Sequence, residues 1–392
     1  MFKLISLNTF RNFLKSEQIG GIILIVCVVI SLIIANSAYG ETFEKILTYQ
    51  IGFNSESVKI VYSVSQWIND GLMAIFFLLV GLEIKRELIS GELSTPKKAA
   101  MPLFAALGGM LLPALIFYLF NKNTATSAGW GIPMATDIAF ALGILSLLGD
   151  KVPASLKIFL AALAIADDLG AILVIAIFYT NEIHWMQLFF SALIMALLLL
   201  MNKAGVKNLA FYLIPGVFLW YFIHHSGIHA TIAGVLLAFT IPANTGKHFS
   251  PLEKLEHALT NPVSYIIMPL FALANTNLKF DYSMINGLYS TLGLGIIGGL
   301  LIGKTFGITF FSWVSVKLKL STLPSKASWK HIIGLGMLAG IGFTMSIFIA
   351  ILSFTDMRYQ LNAKFSIIIA SIIAGTAGFL FLKNIGLGKG SS

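Results

Sequence analysis

Two adjacent aspartates, Asp167 and Asp168, lie in the middle of an otherwise apolar stretch that covers residues 161–178. At about 1.5 Å per residue, a helix of this length nearly crosses the hydrocarbon core of a bilayer. A charged aspartate at the centre of such a helix costs roughly 2.5–3.5 kcal/mol, so the pair predicts an ion or substrate site that faces a water-filled cavity. The alternative is a short loop between two buried helices of a soluble protein, and the apolar character of the whole chain argues against it.

Asp137 lies in a stretch whose helix we expect to be interrupted, because two glycines and Pro133 precede it. A break exposes backbone groups that lipid cannot satisfy, so it must line a cavity. A second glycine-rich stretch covers residues 334–350, and residues 129–135 align with residues 340–346 at two glycines and a methionine. Interrupted spans at corresponding places in two halves indicate a transporter binding site, and these two would start from opposite sides of the membrane, as in an inverted repeat.

Lys304 is a basic residue inside another apolar stretch. A lysine in lipid needs a partner, and Asp167 or Asp168 is the candidate. The alternative is that the side chain extends to the membrane surface, which the distance of Lys304 from both neighbouring loops disfavours.

The composition of the chain indicates that membrane-spanning helices must position these residues. Of the 392 residues, 57% are hydrophobic and only 11% are charged, against about 25% charged in ordinary soluble domains. The net charge of +9 is typical of nucleic-acid-binding proteins, but the lysines fall in alternate loops with no basic helix, which excludes that class. The pattern predicts an all-α integral membrane protein that forms one transporter domain over residues 1–392.

Hydropathy predicts twelve membrane spans, at residues 19–35, 62–83, 99–120, 129–148, 154–179, 185–201, 208–222, 226–241, 258–275, 288–312, 331–354 and 365–382. With both termini in the cytoplasm, 19 of the 26 lysines and arginines lie in inner segments and six in outer segments, and Lys304 lies within a span. This asymmetry favours that orientation, since basic residues accumulate on the cytoplasmic side.

Two segments outside the spans have patterns of their own. Residues 1–16 mix basic and apolar side chains, which is typical of an amphipathic segment on the inner membrane surface. The outer loop at residues 41–61 alternates loosely, as a β-hairpin does, and an exposed hairpin edge invites pairing with a second copy of the chain. A plain polar connector is the alternative for this loop.

Six motifs together resemble the NhaA family of bacterial sodium/proton antiporters. They are LVGLEIKREL at 79–88, ATDIAFALG at 135–143, AIADDLGA at 164–171, SGIHATIAG at 226–234, LLIGK at 300–304 and GIGFTMSIFIA at 340–350. The resemblance covers nearly the whole chain. It implies about twelve helices with inverted-topology repeats, two discontinuous and crossed helices at spans 4 and 11, and an electrogenic exchange of sodium or lithium for protons in the bacterial inner membrane.

The resemblance also implies roles for individual residues. Asp167 and Asp168 would bind the transported Na+ and carry protons, Asp137 would compensate the helix ends at the break, Thr136 would help to coordinate the ion, and Lys304 would face the same site. A pH response would involve Glu83, Arg86, Glu87, His229, Glu256 and His257. It implies no cofactor, and its partners are sodium or lithium, protons, membrane lipid and a second copy in a homodimer.

Other classes of protein remain as alternatives at this point. An intramembrane aspartyl protease also uses two aspartates in spans, but it gives Asp168 and Lys304 no role. A channel needs a continuous polar stripe or a ring, and the sequence contains neither. Another proton- or sodium-coupled secondary transporter is the remaining alternative to a sodium/proton antiporter.

Overall fold

The computed structural model of the protein describes residues 2–54, 59–180, 182–243 and 250–385. Most of the described chain is helical. In the first part of the chain the regular elements are α1 Phe2–Ala35, α2 Gly40–Thr48, β1 Gln50–Asn54, β2 Lys59–Ser63, α3 Val64–Gln66, a π-helix at Trp67–Leu72, α4 Met73–Ser90, α5 Pro96–Asn121, a 3₁₀ helix at Ser127–Met134, α6 Ile138–Leu147, a 3₁₀ turn at Gly149–Lys151 and α7 Ala154–Phe178.

The second part of the chain continues the same architecture. Its elements are α8 Trp185–Lys203, α9 Ala210–His225, α10 Ile232–Thr240, α11 Pro251–Pro262, a π-helix at Val263–Ile267, α12 Met268–Asn275, α13 Tyr282–Leu288, α14 Thr291–Gly298, a π-helix at Gly299–Gly303, α15 Lys304–Lys317, α16 Trp329–Ala339, α17 Phe343–Ser353 and α18 Met357–Ile385. The chain divides into two compact units, of which the first comprises Met1–Ile23, Glu92–Ala171 and Phe280–Ser392, and the second Leu24–Gly91 and Ile172–Lys279.

Seven helices of the described chain are long and apolar enough to cross a membrane, and nine when two bent pairs are counted as spans. These nine coincide with nine of the twelve predicted spans. The other three predicted spans each contain a helix, but the span at 62–83 begins in β2 and the span at 226–241 begins in the connection before α10. In addition, α9 and α10 are short, with 16 and 9 residues, and α4 carries four charged residues at its end. The all-helical membrane class is therefore confirmed, while the number twelve stays a prediction.

The N-terminal segment differs from the expectation in one respect. Residues 2–16 are not a separate element, because α1 runs as one helix from Phe2 to Ala35. The helix then ends, and α2 follows at an angle of 113°. Whether the first turns of α1 lie on the membrane surface stays a prediction.

In the first unit, α5 and α15 approach so closely that glycines must line their contact. A Cβ atom on Gly108 would meet the backbone carbonyl of Gly307, and one on Gly307 would meet that of Gly108. Small residues let helix backbones pack at such short range in membranes, where van der Waals contact and not the hydrophobic effect holds helices together. This contact fixes α15, whose first residue is Lys304.

In the second unit, α4 packs against α10 through a similar contact, because a Cβ atom on Gly234 would meet the carbonyl of Ala74. A buried apolar cluster extends from there to α8, α9 and α11, and it contains Leu82, Tyr212, Leu219 and Leu237 among others. Strands β1 and β2 pair antiparallel, with Gln50 opposite Ser63 and Asn54 opposite Lys59. The second half of the outer loop at 41–61 thus contains paired strands, as the alternating pattern predicts, whereas its first half forms α2. Every residue of β1 is exposed.

Candidate functional site: a buried carboxylate cluster at two helix breaks

The site is built around two interrupted helices of the first unit, as the glycine and proline pattern predicts. The first helix loses its hydrogen bonding at residues 135–137, between the 3₁₀ helix and α6. The second breaks between α16 and α17, which meet at an angle of 46°. The breaks hold each other, because the Asp137 N–H donates to the Ile341 carbonyl at 2.7 Å and the Ser346 hydroxyl donates to the Ile132 carbonyl at 2.7 Å. Backbone groups that lipid could not satisfy therefore find partners across the two breaks.

Asp137 is buried and caps α6, where its Oδ1 accepts a hydrogen bond from the Phe140 N–H at 3.0 Å. Its Oδ2 accepts from the Thr344 N–H at 3.1 Å and also from the Thr344 hydroxyl. Both oxygens of Asp137 thus have protein donors. Sequence reasoning missed Thr344, although a signal existed, since Thr344 and Ser346 are polar residues just beyond the glycines of the second break.

Asp167 forms the buried ion pair that the sequence predicts for Lys304. The Lys304 Nζ lies 2.5 Å from Asp167 Oδ2, and both side chains are fully buried. The same Oδ2 accepts a hydrogen bond from the Thr136 hydroxyl at 2.8 Å. The Thr136 hydroxyl also lies 3.0 Å from the Ala339 carbonyl, at the end of α16, so it connects the carboxylate to the second break.

Two buried carboxylate oxygens remain open at this point. Asp167 Oδ1 and Asp168 Oδ1 have no hydrogen-bond partner among the described residues. Asp168 is 2% exposed and Asp167 is 0% exposed. Buried polar atoms are nearly always hydrogen-bonded, so a pair of unpartnered carboxylate oxygens on adjacent residues is the mark of a site that receives something.

Lys304 reaches Asp167 from the start of α15, directly after the π-helix at Gly299–Gly303. The contact of Gly108 with Gly307 sets the height of this helix against α5. The structure therefore brings together Thr136, Asp137, Asp167, Asp168 and Lys304, which are the five residues that the sequence predicts for the ion site. π-turns are rare, and those that occur often lie at functional sites, so the π-helix beside this group agrees with a functional role.

The residues predicted for a pH response lie in the second unit. Arg86 forms an ion pair with Glu256, whose side chain is buried, and a second one with Glu87 at 3.0 Å. Glu83 is half-buried and His257 is exposed, and both have interactions of their own. The structure thus joins α4 and α11 through Arg86, at residues that the sequence singled out.

His229 differs from its expected setting. It lies in the connection between α9 and α10 and not within a continuous helical span, and it is half-buried. Its side chain forms a hydrogen bond with the backbone of Tyr179.

No group of three or more histidine, cysteine, aspartate or glutamate side chains in the described residues could hold a metal ion. Carboxylate oxygens such as those of Asp167 and Asp168 are the kind of ligand that a hard cation prefers.

Comparison with known proteins places the chain in a family. The sequence model described as "Na+/H+ antiporter 1" matches residues 11–382. A protein of Flavobacterium johnsoniae, "Na(+)/H(+) antiporter NhaA 2", is 59% identical over 99% of this chain and 96% of its own length. "Na(+)/H(+) antiporter NhaA" of Cytophaga hutchinsonii is 49% identical over 95% of each chain.

A solved structure has a similar fold at low sequence identity. The sodium proton antiporter MjNhaP1 from Methanocaldococcus jannaschii superposes with a TM-score of 0.50 over 99% of this chain and 100% of its own, at 14% identity. At this identity the match supports the fold alone. The full-length sequence matches confirm the resemblance seen in the motifs, and they remove the intramembrane protease, because the matched proteins are transporters and not enzymes. The chain is a multi-pass membrane protein that belongs to the Na+/H+ antiporter 1 family.

Proposed function

We propose that the protein exchanges sodium or lithium for protons, and that both ions compete for the carboxylates of Asp167 and Asp168. The observation that carries this proposal is the pair of buried carboxylate oxygens without donors, beside a lysine that is already paired. An ionised aspartate offers oxygen ligands to sodium, and a protonated one does not. Competition at one site that opens alternately to the two sides of the membrane is sufficient for exchange.

Besides the protonated and the sodium-bound forms, the site has a third form, in which Lys304 is paired with Asp167. While it is paired with Asp167, the cluster holds one balanced ion pair and one further carboxylate, Asp168. A sodium ion that draws Asp167 away from Lys304 must replace the lysine charge, so the ion and the lysine are alternatives at the same Oδ2. Two adjacent carboxylates titrate as a pair. Two protonatable groups that serve one monovalent cation would move net charge, so the exchange is electrogenic in this proposal.

The remaining parts of the proposal concern the setting of the site. The 19 inner against six outer basic residues favour a bacterial inner membrane location with both termini in the cytoplasm. The interrupted helices at spans 4 and 11 are crossed in the proposal, residues 1–392 act as one transporter domain in membrane lipid, and no cofactor takes part. The paired strands of the outer loop, with β1 fully exposed, support a homodimer.

The pH response is proposed to use the cluster around Arg86 and Glu256. Burial of the Glu256 side chain makes its charge depend on Arg86, and His257 acts electrostatically on the same carboxylate. Glu83, Glu87 and His229 belong to the same proposed response. A change in the charge of this cluster would loosen or tighten the contact between α4 and α11.

The decisive test is Asp168→Asn. Asparagine keeps the shape of the side chain and removes the charge that attracts sodium and the proton that sodium displaces. We expect the purified parent to release protons when sodium is added at mildly alkaline pH, and the variant to release almost none. Insertion is expected to survive, since a neutral amide costs less in lipid than a carboxylate.

Asp281→Asn is the matched control, because Asp281 is an exposed aspartate of the same unit. It should release protons like the parent. The same variants in liposomes, with sodium, lithium and potassium added in turn, test the exchange itself. Undiminished sodium-induced proton release from folded Asp168→Asn would refute the proposed site.

A further inference from the structure

The three carboxylates of the cluster differ in how many of their oxygens are occupied. Asp167 has one open oxygen, and so has Asp168. Asp137 has none, because Oδ1 accepts from the Phe140 N–H and Oδ2 accepts from the Thr344 N–H and hydroxyl. Asp137 is thus the one member of the trio whose oxygens are both engaged by protein groups.

The donors to Asp137 belong to two different helices. Phe140 lies in the first turn of α6, and Thr344 lies in the first turn of α17. The first turn of a helix presents N–H groups without intrahelical partners and a partial positive charge of about one half. The Asp137 carboxylate therefore neutralises the ends of both α6 and α17. It does so only while its Oδ2 accepts the hydrogen bonds from Thr344.

We propose that Thr344 is a positioning residue, which holds Asp137 on the two helix ends and thereby keeps it out of the set of oxygens that receive the transported ion. This inference rests on the proposed function and deepens it, since it assigns ion binding to Asp167 and Asp168 alone. The hydroxyl of Thr344 is the specific element, because its backbone N–H would be present with any residue other than proline at this position.

The place of Asp137 on the helix ends affects the electrostatic environment of Asp168. Asp168 interacts electrostatically with Asp137, Asp167 and Lys304. If Asp137 leaves the end of α17, that end becomes uncompensated and the balance of charge around Asp168 changes. The partial positive charge at the start of α17, no longer neutralised, then opposes a sodium ion that approaches Asp168, and sodium binding weakens.

The experiment measures the sodium dependence of exchange in liposomes for Thr344→Val. We expect the half-saturating sodium concentration to rise about tenfold, the effect of one hydrogen bond to a charged group, with a much smaller change in maximal rate. The pH profile of the exchange should shift as well. Thr344→Ser restores the hydroxyl and should restore both quantities, and Thr344→Ala, which removes it with a smaller side chain, repeats the test if the valine variant folds poorly.

Thr309→Val is the matched control. Thr309 lies in α15 of the same unit, and its hydroxyl donates only within its own helix, to the Thr305 carbonyl at 2.7 Å. It should leave the half-saturating sodium concentration unchanged. A merely structural role for Thr344 would lower the thermal stability and the amount of folded protein without changing that concentration, and this result would overturn the proposal.

A double-mutant cycle tests whether Thr344 acts through Asp137. In an Asp137→Asn background the carboxylate is gone, so Thr344→Val should add little to the half-saturating concentration. If it adds its full factor there, Thr344 acts by another route and the inference is wrong. Absence of sodium-dependent proton movement in the parent would instead refute the proposed function, and with it this inference.

Discussion

Lys304→Met would remove the positive partner of a fully buried carboxylate while keeping a long apolar side chain. The Lys304 Nζ lies 2.5 Å from Asp167 Oδ2, and neither side chain is exposed. After the substitution Asp167 keeps the Thr136 hydroxyl as its donor. Removal of one partner from a buried ion pair costs about 3–5 kcal/mol, because it leaves an uncompensated charge out of water.

The assay is equilibrium unfolding in mixed detergent micelles, followed by tryptophan fluorescence. Lys317→Met is the control, since Lys317 lies at the exposed end of the same helix, with its Nζ 4.5 Å from the centre of the Trp313 ring. It should cost at most about 1 kcal/mol. A third variant, Lys304→Met with Asp167→Asn, removes the orphaned charge and should recover at least half of the loss. If Lys304→Met is no less stable than Lys317→Met, or if the double variant recovers nothing, the ion pair does not stabilise the fold in the way described.

Three further predictions follow from the packing and from the second unit. Gly307→Ala should destabilise the protein by about 1–3 kcal/mol, because the new Cβ meets a backbone carbonyl. Gly21→Ala is the control, since its new Cβ lies at ordinary contact distances. Equal unfolding midpoints for the two variants would contradict this prediction. Glu256→Gln should shift the pH at which exchange is half-maximal, because it removes the carboxylate that pairs with Arg86, and an unchanged rate profile between pH 6 and 9 would argue against the proposed pH response. Deletion of residues 53–58 should weaken a homodimer, as measured by light scattering, while transport persists, because the proposed ion site lies within one chain. A parent that is already monomeric would contradict a role of the hairpin in a dimer, and a deletion that stops transport in folded protein would contradict the separation of the dimer contact from transport.

Much of the site could be predicted from the sequence because its chemistry is expensive in lipid. A charged residue inside an apolar stretch is conspicuous, so Asp137, Asp167, Asp168 and Lys304 were found by type alone, and the pairing of Lys304 with an aspartate followed from charge. Glycines and a proline at the two breaks predicted the interruptions for a comparable reason, since these residues weaken helices.

Residues whose role depends on contacts across the fold could not be found in this way. Thr344 is conspicuous only as a polar residue just beyond the glycines of the second break, and the proximity of the two breaks in the structure is what shows that it binds Asp137. The sequence predicts a span over residues 226–241, whereas His229 lies in the connection before α10. The difference arises because the hydropathy of a short apolar helix and its flanking residues resembles that of one continuous span. The sequence does not predict that residues 2–35 form one helix. The mixed basic and apolar pattern of residues 1–16 has the same helical period in a separate surface helix and in the first turns of a membrane span.

The π-helix at Gly299–Gly303 has a consequence for the direction in which Lys304 extends. A π-turn accommodates one residue more than an α-turn, and each residue of an α-helix rotates the chain by about 100°. The side chains of α15 are therefore rotated by roughly a quarter turn relative to a continuous helical extension of α14. A chain that lacked one residue in this turn would keep its hydropathy and its length almost unchanged, yet its lysine would leave the helix on a different side, away from Asp167. The azimuth of the buried lysine is thus set by chain length within a single turn and not by the lysine itself.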